Sequence, residues 1–331
     1  MRCASSSTRW RTSSSLPGKP RVVVAQPIPA VGLLALQESY DVTVIGPRPS
    51  PAQLRQSARG TSALVTDPTV PVDADLVDAA GPELKVVANF AVGYDNIDLE
   101  ACRRRGVIVT NTPDVLTNAA AELTVALMLA AARGLGAAER LLRRGDWTGW
   151  EPEQFLGREL ADSTIGIVGL GRIGSRVAEL LGGFGSRIVY SSRHPRAGVE
   201  GIQWMELNDL LAESDLVTLH LPLSPDTHHL IDAEALERFK PGAILVNTSR
   251  GGLVDTGALI AALRSGRLAA AGLDVYENEP DVPDELKALD NVVLAPHIGS
   301  ATDRARNGMS QLVAENVIAV LEGRLPITPV N

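Results

Sequence analysis

The chain of 331 residues is poor in cysteine, in aromatic side chains and in basic charge. Only Cys3 and Cys102 are present, far apart, with no C-x-x-C and no metal-ligand spacing. A disulfide scaffold and a thiol mechanism are not suggested, no metal is expected, and a reducing, cytoplasmic setting is. Aromatic residues make up 4% of a chain that is 45% hydrophobic, which describes an Ala/Val/Leu-rich globular protein. The formal net charge of −8 lacks the basic excess needed to neutralise phosphates, so nucleic acid is not an expected partner. No apolar run approaches the roughly 20 residues of a membrane span. The length suffices for two domains and a sizeable core.

Residues 1–20 are rich in Ser, Thr and Arg, contain no acidic residue and have no apolar h-region, which disfavours a secretory signal. The composition resembles an organellar transit peptide but shows no clear amphipathic face. A disordered tail, or a start codon set too far upstream, is the preferred reading, and either places the segment outside the fold.

From Arg21 onward, short apolar strands alternate with helices. Strands are expected at 21–25, 41–45, 62–66, 84–88 and 107–110, with helices at 31–36 and 75–80. Strands buried on both faces and alternating with helices imply a parallel α/β sheet. Asn111-Thr112-Pro113-Asp114 breaks the pattern, and a helix follows over 115–133, apolar nearly all round and so expected to be buried between domains or subunits. Next comes a polar stretch holding Trp147 and Trp150, which suits either an interface arm or a surface loop with packed indoles. A second series then opens at Thr164. Strands are expected at 187–190, 215–219, 243–247, 269–273 and 292–294, with helices at 206–212, 233–239 and 256–264. A last helix, 302–321, returns to the first domain, because the second sheet is already complete.

The strand at 164–168 runs into Gly169-Leu170-Gly171-Arg172-Ile173-Gly174 and then a helical pattern. A G-x-G-x-x-G between strand and helix is the arrangement that holds a dinucleotide pyrophosphate. Gly169 permits the turn, Gly171 lets backbone approach phosphate, and Gly174 lets the helix pack on the strand. The N–H groups of the loop and helix start, Arg172 and Ile173 included, then face the anion.

Open α/β sheets bind ligands at the carboxyl ends of their strands. Past three such ends lie Arg250, then Asp274 and Glu279, then His297. Arg offers a planar fork to a carboxylate. His moves a proton near neutral pH, and a nearby carboxylate fixes its tautomer. Hydride transfer to a ketone leaves a developing alkoxide that must be protonated, so this set beside a nicotinamide suits a 2-oxo acid reductase. Each residue alone also fits an ordinary loop role.

With these residues in view, the chain from about 21 to 329 resembles the D-isomer-specific 2-hydroxyacid dehydrogenases, and among them glyoxylate/hydroxypyruvate reductases. The resemblance rests on Ala91-Val92-Gly93-Tyr94-Asp95-Asn96-Ile97-Asp98, the glycine loop, Leu221-Pro222-Leu223, Asn247-Thr248-Ser249-Arg250-Gly251, Gly272-Leu273-Asp274-Val275, Glu279-Pro280 and Pro296-His297-Ile298-Gly299-Ser300. It implies two doubly wound parallel-sheet domains: a flavodoxin-like substrate domain of residues 21–112 plus 301–331, and a Rossmann NAD(P)-binding domain of residues 113–300. It implies that Arg250 binds the substrate carboxylate and carbonyl, that His297 is the acid in reduction and that Glu279 holds it. The backbone N–H groups of Val92 and Gly93 take the other side of the carboxylate. Asp274 meets the nicotinamide end, with Pro222, Thr248 and Gly299 also on the cofactor. A cleft that closes on binding and a homodimer built on the cofactor domain, with Trp150 directed toward the neighbour's site, are implied as well.

One expected feature is missing. An NAD enzyme carries an acidic residue soon after the second strand of the cofactor domain, to bond the ribose 2′-OH. Here the chain reads Ser191-Ser192-Arg193-His194-Pro195-Arg196. With no carboxylate to repel a 2′-phosphate, and Ser192, Arg193 and Arg196 able to donate to it, NADPH is expected over NADH. Asn89 stands where 3-phosphoglycerate dehydrogenases usually carry Arg, and Glu279 where formate dehydrogenases usually carry Gln, so a small unphosphorylated 2-oxo acid is favoured. Near Asn118-Ala119-Ala120-Ala121 the chain lacks a Thr common in the family, which bears only on a cofactor contact. A broader 2-oxo acid reductase, a phosphoglycerate dehydrogenase and a dinucleotide-sensing corepressor are the alternatives.

Overall fold

The computed structural model describes residues 18–331. Residues 1–17 of the expected tail lie outside the described residues. The chain divides into two compact units, one reaching to Val115 and including Asp303–Asn331, the other Leu116–Thr302.

The first unit is built on β1 (Arg21–Val24), β2 (Asp41–Val44), β3 (Ala63–Thr66), β4 (Val86–Asn89) and β5 (Ile108–Thr110). They form one parallel sheet in the order β2-β1-β3-β4-β5. Its helices are α1 (Ala30–Ser39), α2 (Pro51–Ala58), α3 (Ala74–Ala80), α4 (Leu99–Arg104) and, from the far end of the chain, α12 (Asp303–Leu321). The return of α12 has a visible cause: Val313, Ala314, Val317 and Val320 are buried against the residues of β1, β3 and β4. Each such buried valine is worth about 1.5–3 kcal/mol over leaving it in water. Close approach of α1 depends on Gly32, where a Cβ would collide with the Ser310 backbone, while Ser310 Oγ donates to Pro29 O at 2.7 Å.

The second unit holds β6 (Thr164–Val168), β7 (Arg187–Ser191), β8 (Gln203–Trp204), β9 (Leu216–Leu219), β10 (Ala243–Asn247), β11 (Leu268–Leu273) and β12 (Val292–Leu294). All are parallel, in the order β12-β11-β10-β9-β6-β7-β8. The order reverses at β6, so the crevice above its carboxyl end is where such a sheet takes a ligand. Helices α5 (Thr117–Ala132), α6 (Leu135–Arg144), α7 (Arg172–Leu181), α8 (Leu207–Glu213), α9 (Ala233–Arg238), α10 (Thr256–Ser265) and α11 (Asp284–Lys287) complete it. The expected two parallel α/β sheets are what the structure contains.

Four helices and one strand escaped the sequence pattern. Helix α2 buries only Leu54 and Ala58, too few to show a stripe, and its start is marked instead by a Ser50–Gln53 capping box. Helices α4 and α11 span only 6 and 4 residues, too short for a period to show. Helix α6 begins after Gly134, whose left-handed φ of 59° ends the preceding run, and it buries no residue of its own. The two-residue β8 is below any periodicity. Helix α5 buries Ala120, Ala121, Thr124, Leu127, Met128, Ala131 and Ala132 within its unit, while Glu122 and Ala126 stay exposed. Among the described residues no single helix is long and apolar enough to cross a membrane.

Candidate active site

The three glycines after β6 are needed for three different reasons. Gly169 has φ 96°, and a Cβ there would stand 2.5 Å from His220 O at the end of β9. Gly174 lies so close over Gly169 O that a side chain would collide with it, so this glycine allows α7 to pack on β6. Gly171 has nothing within 4 Å of its Cβ position. Its hydrogen keeps open a space beside the start of α7, which carries no side-chain cap. That cradle fits a dinucleotide pyrophosphate, held by the loop and helix N–H groups.

Past β7, Ser192 Oγ donates to His194 O at 2.7 Å and Arg193 is exposed. Arg196 turns back to the glycine loop, where its guanidinium donates to Leu170 O and, at 3.2 Å, to Ser175 Oγ. Thr248 lies after β10, its hydroxyl 2.8 Å from Thr124 Oγ1 on α5. Pro222 follows β9 and accepts from Thr227 Oγ1 at 2.8 Å.

The chemistry-bearing loops are held by buried side chains at their strand ends. Asn247, at the last position of β10, donates from Nδ2 to Arg250 O at 2.8 Å and accepts from Ser249 N–H at 3.0 Å. This shapes the turn that presents Arg250, whose Nη1 donates to Ser249 O at 2.8 Å. Gly251 lies directly on the Tyr276 backbone, with no room for a Cβ, so the β10 and β11 loops touch there. Asp274 is fully buried; its Oδ1 accepts from Ile298 N–H at 2.7 Å and its Oδ2 from Gly299 N–H at 2.8 Å. His297 N–H donates to Asp274 O at 2.9 Å, and His297 itself adopts φ 52°. The histidine is thus locked in an uncommon backbone conformation by its neighbour across the sheet.

His297 Nδ1 is 2.7 Å from Glu279 Oε2, and Glu279 Oε1 accepts from Tyr276 N–H at 3.1 Å. Burial works to raise the Glu279 carboxyl. The hydrogen bond to His297, the charge of His297, the Tyr276 N–H and the nearby Arg250 outweigh it, and Glu279 lies below its ordinary value. Asp274 goes the other way: burial pushes it up against the two N–H bonds and the His297 charge. His220, half-buried beside Gly169, is lowered to about 4 by desolvation and is therefore neutral at pH 7.

In the first unit, buried Asn89 at the end of β4 accepts from Thr66 Oγ1 at 2.9 Å and donates to Gly93 O at 2.8 Å and Asn96 Oδ1 at 3.0 Å. Asn111 Nδ2 donates to Val92 O at 2.8 Å. Two asparagines therefore grip successive carbonyls of the Val92-Gly93 segment. In a trans peptide the N–H points opposite to the carbonyl, so Gly93 N–H faces away from Asn111.

Comparison with known proteins agrees with the two parallel α/β sheets. Residues 125–299 match the family described as D-isomer specific 2-hydroxyacid dehydrogenase, NAD binding domain. The chain is 50% identical over 322 residues to a glyoxylate reductase of Thermococcus onnurineus, covering 95% of this chain and 96% of that relative. The chain belongs to the D-isomer-specific 2-hydroxyacid dehydrogenase family. Among solved structures, the TT0316 protein from Thermus thermophilus is similar with a TM-score of 0.89 at 46% identity, covering 94% of this chain and 100% of that one. An NADPH-dependent glyoxylate/hydroxypyruvate reductase from Sinorhizobium meliloti, in complex with NADP and malonate, is similar with a TM-score of 0.86 at 38% identity, covering 94% and 97%.

As a member of this family the chain is an NAD(P)-dependent dehydrogenase that reduces a 2-oxo acid. Of the expected residues in the second unit, the structure brings His297, Glu279 and Asp274 into one hydrogen-bonded group with Arg250 near it. Arg196 reaches the glycine loop, and Arg193 does not. The sequence pattern marked Asn89 for substrate choice and Asn247 within the Arg250 motif, but it did not show the loop-holding contacts that these two and Asn111 make, nor His220 beside Gly169. Their signal was position alone: Asn89 and Asn247 end buried strands and His220 follows one, where a polar side chain needs a reason.

Proposed function

We propose that this dehydrogenase reduces glyoxylate and hydroxypyruvate, small unphosphorylated 2-oxo acids, to the 2-hydroxy acid of D configuration where one exists, with NADPH as the preferred reductant. A nicotinamide cofactor held at the glycine loop would supply the hydride for the carbonyl carbon. Arg250 grips the substrate carboxylate and polarises the carbonyl. The N–H groups of Val92 and Gly93 are proposed as further donors to the substrate carboxylate. His297 gives the proton of its Nε2 to the carbonyl oxygen as the alkoxide develops, so that hydride and proton together convert C=O to CH–OH. Glu279 holds Nδ1–H, which fixes the tautomer and steadies the imidazolium. In the oxidative direction His297 takes the proton back.

The observation that carries this reading is the 2.7 Å contact between His297 Nδ1 and Glu279 Oε2, which leaves Nε2 as the nitrogen not engaged by Glu279. NADPH preference is supported by the sequence after β7, where Ser192, Arg193 and Arg196 stand and no carboxylate does, and by the Arg196 guanidinium already at the glycine loop. Asn89 argues against a phosphorylated substrate, because its polar atoms are committed to Thr66, Gly93 and Asn96 and it brings no positive charge.

We also propose a cytoplasmic homodimer. Leu135, Leu142, Trp147, Trp150, Phe155 and Leu156 are exposed hydrophobics in a single stretch of the second unit, Trp150 to 80%. That much apolar surface is what an obligate interface covers.

Following NADPH absorbance with glyoxylate, hydroxypyruvate, pyruvate and phosphohydroxypyruvate tests the reading. Turnover fastest with the first two supports it. A preference for the phosphorylated acid makes the protein a phosphoglycerate-type dehydrogenase, and no turnover with any makes it a dinucleotide sensor. A higher kcat/KM with NADH than with NADPH overturns the cofactor assignment.

A further inference from the structure

The geometry points to a divalent transition-metal site formed by His228, His229 and Glu277, on the second unit and separate from the proton-transfer group. Nothing in the sequence suggested it, because consecutive side chains on an extended backbone point to opposite sides. Here His229 has φ 51°, and the turn it makes brings both imidazoles to one side, stacked with ring centroids 4.0 Å apart and planes 27° apart. Glu277, from the loop after β11, places Oε1 2.8 Å from His229 Nε2. One ligating atom from each of the three residues lies within 4.8 Å of the others.

The surroundings are those a metal site requires. Glu277 Oε2 accepts from Thr256 Oγ1 at 2.8 Å, which orients the carboxylate and leaves Oε1 toward the histidines. On the other side of the His229 ring, Nδ1 faces Asp255 Oδ2 at 4.0 Å, beyond hydrogen-bond reach; a small approach would make it the carboxylate partner that ligating histidines commonly have on their second nitrogen. Asp255 is itself fixed, its Oδ1 accepting from Ala258 N–H at 2.9 Å as the cap of α10. The histidine turn is tied to the loop after β10 by His229 N–H to Gly252 O at 2.8 Å and Ile231 N–H to Leu253 O at 3.0 Å.

Two imidazoles and a carboxylate select a borderline ion such as zinc, cobalt or nickel over magnesium or calcium. Around a tetrahedral ion with bonds of about 2.0–2.2 Å, ligand atoms stand roughly 3.3–3.6 Å apart. Binding requires the exposed His228 side chain to turn inward from a separation of up to 4.8 Å. A water completes the fourth position. The ion bridges the histidine turn, already tied to the loop after β10, to the loop after β11. It takes no part in hydride or proton transfer, since Arg250 and His297 are not among its ligands. The inference therefore stands whether or not the proposed substrate is correct.

Cobalt(II) titration of the full, untagged chain tests it. One equivalent is expected to develop the visible absorption of four-coordinate cobalt, zinc to displace it, and the thermal midpoint to rise with zinc. His228→Ala and Glu277→Gln should each remove the band and the zinc-dependent rise, while His297→Ala keeps both. Without added metal, the circular dichroism and thermal midpoint of His228→Ala should match the unaltered protein, which shows that this variant is folded. No band in the unaltered protein, or an undiminished band in His228→Ala, overturns the proposal and leaves His229 and Glu277 as a hydrogen-bonded pair only.

Discussion

Glu279 Oε2 lies 2.7 Å from His297 Nδ1, across the gap between the loops that follow β11 and β12. This single contact joins the proposed proton donor to the carboxylate proposed to orient it. It is the foremost of the interactions that hold the Glu279 carboxyl below its ordinary value, which burial alone would have raised.

Removing either partner should therefore be read mainly in kcat. His297→Ala is expected to lose about 10²–10⁴-fold in kcat for glyoxylate reduction, the usual contribution of a positioned acid, with less change in KM. Near-normal rates would mean that another group supplies the proton. Glu279→Gln should fall less, because the imidazole remains but its orientation and charge are no longer supported.

The same pair makes a prediction about acid stability. A carboxyl lowered in the folded state stabilises the fold above its unfolded value, near 4.3, and loses that contribution as pH falls through the lower folded value. The thermal midpoint of the unaltered protein should exceed that of Glu279→Gln at pH 6–7. The gap should shrink steadily below about pH 4. A gap independent of pH would show that charge at Glu279 is not what stabilises.

Asp274→Asn separates positioning from charge in the β11 loop. The amide would keep one acceptor for Ile298 or Gly299 N–H and set an N–H donor against the other. Loss of about 1–3 kcal/mol in stability is expected from the unpaired donor. Because those two N–H groups follow His297, kcat should also fall. Unchanged urea midpoints would contradict the clamp.

Asn89→Ala addresses the first unit. It frees Gly93 O and removes the partner of Thr66 Oγ1 and Asn96 Oδ1. Loosening the Val92-Gly93 peptide should raise KM for glyoxylate by about ten- to a hundredfold, an effect the size of one or two hydrogen bonds. The KM for NADPH should stay near its original value. An equal rise in both would indicate a general loss of structure.

Two glycines of the same loop should respond oppositely. Gly174→Ala forces a methyl group against Gly169 O and should cost about 1–3 kcal/mol in stability. Gly171→Ala projects into open space, so the thermal midpoint should hold while the NADPH dissociation constant, measured by fluorescence titration, rises about tenfold or more.

Much of this was legible in the chain itself. Buried parallel strands announce themselves as short runs of Val, Ile, Leu and Ala, since both faces are covered and few polar residues interrupt them. The G-x-G-x-x-G turn, and the Arg, Asp, Glu and His just past strand ends, are local in sequence, so their types and order could be read directly. Elements with little buried area, such as α2 and α6, left no stripe to detect. What tertiary structure alone decided is everything that depends on two distant segments meeting. That Asp274 accepts the N–H groups after His297, that Asn89 and Asn111 hold neighbouring carbonyls, and that a left-handed φ at His229 stacks two consecutive rings against Glu277 are facts of register, backbone dihedral and loop contact. Hydrogen bonds act over about 3 Å and only in the right direction. Residue identity limits which of them are possible, and the packed fold selects the ones that form.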